Sequence, residues 1–162
     1  MKNGYPRFEH HLQKLETLIK QSQKDPNPAL WLAGNDARTP LFMLEGLCRL
    51  YGKLHTKKTF SKLGEQFKAL EDGFGQVDYY SSYAKIFLQH TTVPVHVREY
   101  MQAQTREKLQ HVNDLLAGEG WIGKKPKRFK KIRKKLKAVN WLKASDEAKA
   151  IKALYKEEAK AI

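Results

Sequence analysis

Five of the six prolines in this 162-residue chain stand at or just ahead of the start of a stretch with helical periodicity, and no other feature limits the fold as much. A proline inside a helix removes a backbone hydrogen bond and costs about 3 kcal/mol, whereas the first turn accepts it because the amide there has no partner to lose. Pro6, Pro28, Pro40, Pro94 and Pro126 therefore read as helix starts. The spacing predicts helices over 6–23, 28–33, 39–52, 60–89 and 94–117, with a last one beginning at Ser145. Asn27, Thr39 and Ser145 suit N-cap positions, where a short polar side chain accepts from an orphan amide.

Apolar residues recur in steps of three and four within each segment, the mark of a helix that buries one stripe. The first segment carries Phe8, Leu12, Leu15 and Ile19, and the third Leu41, Leu44, Cys48 and Tyr51. The long fourth segment carries Leu63, Phe67, Leu70, Phe74, Val77, Ser81, Ala84 and Leu88, and the fifth Val97, Met101, Val112 and Leu116. Ala148, Ile151, Tyr155 and Ile162 share one face of the last. Only residues 91–97, TTVPVHV, alternate as a strand does, and their proline argues against that reading. The expected fold is all-α, an antiparallel bundle of about six helices in one domain over 1–162.

Charge divides the chain more sharply than hydropathy. Of a formal net charge of +14, residues 1–123 hold +3, residues 124–143 hold +11 and residues 144–162 hold none. A run of like charge is usually a solvated tail. Here Phe129, Ile132, Leu136, Val139 and Leu142 interrupt it at helical spacing, so 124–143 reads as an amphipathic helix with a basic outer face. Lys127, Lys130, Lys131, Lys134 and Lys137 fall opposite the apolar stripe, and Arg128, Arg133 and Lys135 flank it. Arg38, Arg49 and Lys53, with Lys57 and Lys58, extend a second basic line. That many cations repel one another unless an anion screens them, which points to a polyanionic partner. Candidate anion contacts are Arg38, Arg49, Lys53, Arg128, Lys131, Arg133, Lys134 and Lys135.

Other chemistry has little support. No phosphate-binding glycine loop, HExxH or GxSxG motif occurs. Glu107, His111 and Asp114 share a helix face, but such a patch is more often a solvated surface than a metal site. The expectation is a non-enzymatic protein with no metal and no cofactor. A lone cysteine, Cys48, allows neither an intrachain disulfide nor a cysteine zinc cage, no stretch approaches a membrane span, and no signal-peptide core opens the chain. A cytoplasmic location is the simplest expectation. Gly73 and Gly75 suit a close helix crossing, which leaves Asp78 either on the surface or opposite Arg38.

NDARTPLFMLEGLCRLY at 35–51 and LGEQFKALEDGFGQVDYY at 63–80 resemble the CHAD family (conserved histidine α-helical domain). Asp36, Arg38, Arg49, Leu50 and Tyr51 match the first part of its pattern, and Phe74, Gly75 and Asp78 the second. The stretch 127–142 is similar to the basic helix that opens the family's second half. The resemblance implies two related helical bundles around a basic cavity that binds inorganic polyphosphate. Asn35 stands at the family's histidine position, Phe42, Met43 and Glu45 at its inner arginines and Val77 at the arginine before its aspartate. The chain thus resembles a divergent member, reduced in its second half, whose cations are concentrated in 124–143. Polyphosphate is the expected partner, and RNA or DNA on the same basic helix is the alternative.

Overall fold

The computed structural model describes all 162 residues and contains seven helices and no strand. They are α1 (Gly4–Ser22), α2 (Pro28–Gly34), α3 (Arg38–Leu54), α4 (Lys57–Gln89), α5 (Val95–Gly118), α6 (Arg128–Lys137) and α7 (Ala144–Lys160). The count is seven against the expected six or so, and the short α2 lies where the sequence places a helix over 28–33. Asn27 caps it, its side chain accepting from the Leu30 amide at 3.2 Å. The other two expected caps are displaced. Asp36 adopts a left-handed conformation (φ 52°), which starts α3 one residue early and leaves Thr39 inside the first turn, donating to Asp36 Oδ2 at 2.7 Å. Ser145 lies within α7, which begins at Ala144.

One cluster of 25 buried residues runs through the bundle, and the expected stripes of α1 and α3 are wholly inside it. The stripe of α4 is buried only as far as Ala84. Leu88, nearer the end of the helix, is exposed. The basic segment is helical over ten residues, not twenty. After Lys137 the chain turns, and Trp141 enters the core in place of a further helical turn. Its indole N–H donates to the Leu136 carbonyl at 2.9 Å.

The expected face of α7 is the clearest departure. Ala148, Tyr155 and Ile162 are exposed and Ile151 is half-buried, while the one buried residue is Glu147. Arg7 is the reason. Its Nη1 donates to Glu147 Oε1 at 2.5 Å and to the Tyr51 hydroxyl at 2.7 Å, drawing the carboxylate inward.

Gly73 and Gly75 do permit close approach, but to two different neighbours. A Cβ on Gly73 would stand 2.9 Å from Val112 Cγ2 of α5, and one on Gly75 would stand 3.3 Å from Arg38 Nη2. Arg38 bonds Asp78 Oδ2 at 2.9 Å and, more closely, Glu71 Oε1 at 2.6 Å. The pair is not buried, since the Arg38 and Asp78 side chains are 40% and 45% exposed. Asp78→Asn should therefore lower stability by less than about 1 kcal/mol, the scale of an exposed pair, and not by the 3–5 kcal/mol of a buried one. A urea midpoint series checks this, and a loss of several kcal/mol would show that Glu71 cannot hold Arg38 alone.

Candidate anion-binding groove

The basic helix docks on α1 through Phe129, Ile132 and Leu136, and that register decides which cations meet. Helical geometry turns Lys130, Arg133, Lys134 and Lys137 to one side of the buried stripe and Arg128, Lys131 and Lys135 to the other. On the first side, α6 and α1 enclose a groove of about 630 Å³. Lys20, Lys130, Arg133, Lys134 and Lys137 line it over a floor that includes Trp121 and Phe129, with Glu16 the one carboxylate.

Arg133 fastens the groove. Its Nε donates to both oxygens of Glu9 at 3.1 Å, and its Nη1 donates to Glu16. Glu16 also accepts from Lys20 at 2.8 Å, and Glu9 from the Tyr5 hydroxyl at 3.1 Å. Burial alone would raise the Glu16 carboxyl, but the bonds from Lys20 and Arg133 outweigh it and hold the group below its ordinary value. Burial likewise pulls against the Arg133 charge, and its bonds to Glu9 and Glu16 more than reverse it. Arg133 is thus a structural cation, committed to two carboxylates, while the lysines beside it are not.

Nine ion pairs exist in the molecule, and of the 11 basic residues in 124–143 only Arg133 takes part in one. The other ten have no carboxylate within 4 Å. Arg128 finds a different use. Its Nε donates to the Glu119 carbonyl at 2.9 Å and its guanidinium lies 5.9 Å from the Trp121 ring, tying the end of α5 to the start of α6. Lys131, Lys134 and Lys135 are exposed.

Three of the expected contacts lie elsewhere. Arg38 is held by Glu71 and Asp78. Arg49 pairs with Glu45 at 2.8 Å, and Lys53 pairs with Glu158 of α7. Arg49 and Lys53 line a second groove of about 890 Å³ between α3, α4 and α7, where Lys57 and Lys68 face Glu45, Glu65 and Glu158. Its charges nearly balance, so it lacks the excess of the α6 groove. Phe42 and Met43 are on the surface. The sequence reading did not include Lys20. Its spacing from Glu16, four residues on the flank of the α1 stripe, is the signal that places it. Elsewhere, Glu107 and Asp114 accept from glutamines on their own helix, and no group of three or more His, Cys, Asp or Glu side chains is placed to hold a metal. No helix is long and apolar enough to cross a membrane.

An all-helical bundle with one strongly cationic groove is the class that the fold and the site define. Among known proteins, no family model, no curated protein and no solved structure matches the chain.

Proposed function

We propose that the chain is a non-enzymatic polyanion-binding protein that takes a linear phosphate chain, inorganic polyphosphate above all, along α6 and the groove beside it. One observation carries this reading: ten cations packed within 20 residues and left without a carboxylate partner. Like charges at helical spacing destabilise a helix, and a bound polyanion removes that repulsion. Lysine ammoniums on flexible stems suit a ligand of repeating charge and no base edges. The apolar stripe that could otherwise seek a membrane is committed to the core at Phe129, Ile132 and Leu136. The CHAD-like segments at 35–51, 63–80 and 127–142 support the same ligand class, the chain then being a divergent and reduced member of that family.

Lys130, Lys134 and Lys137 are the groove contacts, Lys20 joins them from α1, and Lys131 and Lys135 extend the cationic surface around the helix. Arg133 orients α6 and contributes field more than direct contact.

The test is a titration of long-chain polyphosphate against wild type and a Lys130→Gln, Lys134→Gln, Lys137→Gln variant at matched salt. Each lysine near a polyanion contributes about 1 kcal/mol, so the variant should bind roughly 100-fold more weakly. Its log–log salt slope should be shallower by about 2–3. Equal affinities would show that the groove is not the site. Tighter binding of a defined RNA than of polyphosphate, persisting at high salt, would give the site to nucleic acid, because salt-resistant affinity needs contacts beyond phosphate.

A further inference from the structure

The outer half of the α4–α5 hairpin has apolar surface that the bundle does not use. From Tyr79 to Gln104 the two helices bury only Ala84. The seam between them runs through Val77, Tyr80, Ala84 and Phe87 on α4 and Met101, Thr105, Lys108 and Val112 on α5, with Lys108 lying over the Tyr80 ring and Val112 against Gly73. One residue before these α4 positions come Tyr79, Tyr83 and Ile86, and one before Met101 comes Tyr100. In two antiparallel helices a step back from the seam turns to the same side of the pair. These four residues therefore share one face of the hairpin, and they are 53%, 41%, 47% and 55% exposed.

The face is ordered internally. Tyr79 and Tyr83 have ring centroids 5.0 Å apart, Tyr79 contacts Tyr80 at the same separation, and Tyr83 meets Phe87 at 5.9 Å. Neighbouring rings thus restrict one another, so fixing them at an interface costs less side-chain entropy than fixing isolated ones.

Charge selects the occupant. Residues 79–104 carry Lys85 and Arg98 against Glu99, a net of +1 in a chain of +14. The +11 segment follows the opposite end of α5, a helix of 24 residues and about 36 Å, more than three screening lengths at 0.1 M salt. Two copies that meet at their hairpins keep their basic helices apart, which no contact near α6 would allow. Two such faces, each about 20 Å wide and 16–20 Å long, cover roughly 700 Å² together. That is the size of a weak, transient contact and falls well short of an obligate one.

We propose that the outer half of the α4–α5 hairpin is the contact between two copies of this chain, with the two hairpins packed as a four-helix bundle around Tyr79, Tyr83, Ile86 and Tyr100. The association is reversible, of micromolar strength, and independent of the polyanion.

Light scattering on the purified, polyanion-free protein, from about 1 to 100 μM, tests it. The expected result is a mass that rises toward twice the protomer with concentration and does not fall as salt is raised. Tyr83→Glu with Ile86→Glu should remain a monomer throughout, with unchanged helix content and unchanged polyphosphate affinity. Tyr79→Lys with Tyr100→Lys, at the two more exposed positions, repeats the test should the first pair disturb the hairpin. Tyr155→Glu, on exposed α7, should dimerise as wild type does. A wild type that stays monomeric at the highest concentration, a dimer that dissolves in salt, or one that survives both hairpin variants overturns the proposal.

Discussion

Trp141→Ala should lower the stability of this protein by about 3–5 kcal/mol, the scale for emptying a buried aromatic site, and lower its melting temperature by roughly 10–15 °C. The indole ring lies 5.3–5.9 Å, centroid to centroid, from Tyr51, His55, Phe60 and Phe8. Gly4 accepts its flat face so closely that a methyl group there would overlap the ring. The indole joins the segment after α6 to α1, α3 and the start of α4, so the space left by alanine has walls from several elements that cannot close together. Trp141→Phe should recover most of the loss and forfeit the bond to the Leu136 carbonyl, worth about 1 kcal/mol. Urea unfolding of both variants measures the difference. A loss below about 1 kcal/mol for alanine would mean that the aromatic cluster adds little to the fold.

Arg133→Glu has the second large effect, and it acts on the fold before it acts on any ligand. The substitution removes the partner of Glu9 and Glu16 and places a third carboxylate beside them. Losing one member of a mostly buried pair costs about 3–5 kcal/mol, and the added repulsion increases that. Helix α6 should release from α1, with a loss of helical circular dichroism and of polyphosphate binding together. Lys134→Glu, one residue on, should leave the dichroism unchanged and weaken binding alone. Acid acts on the same tie. The Glu16 carboxyl titrates lower in the folded state than in the unfolded chain. The unfolded chain then binds the proton more readily, so the contribution is present at neutral pH and is lost as pH falls below the ordinary glutamate value of about 4.3. A variant Arg133→Glu that unfolds at the wild-type urea concentration would show the network to be surface decoration.

These two residues also show what the sequence could and could not reveal. Helix positions were legible because apolar spacing and proline placement are local signals, and the stripes of α1 and α3 are buried residue for residue. Arg133 and Lys134 were not separable by the same means. Both lie off the apolar stripe, so a sequence reading treats reversal of either as harmless to the fold. The distinction comes from Glu9 and Glu16, more than a hundred residues earlier, and ion-pair partners at that range leave no periodic trace. Arg38 and Asp78 were legible as a pair, through the glycines that let their helices approach, whereas Glu71 was not singled out as the closer partner. The apolar face expected of α7 failed for a related reason. A buried carboxylate with an arginine from another helix overrode a weak pattern of alanine, isoleucine and tyrosine. In the candidate groove, the cationic excess was visible in composition, but the division of α6 into a groove side and an outer side required the docking angle on α1.

Helix α7 fastens to the bundle through Arg7 and Glu147, Lys53 and Glu158, and the Ala144 amide on the Met1 carbonyl, and it contributes no apolar residue to the core. Heat capacity of unfolding follows the apolar area exposed, so detachment of this helix has almost no calorimetric signature and a shallow response to denaturant. Ionic strength acts instead on the exposed Lys53–Glu158 pair, whereas the buried Glu147 carboxylate is screened much less. Added salt should therefore loosen the far end of α7 first and leave its near end tied, through Arg7, to Glu147 and to Tyr51 of the aromatic core.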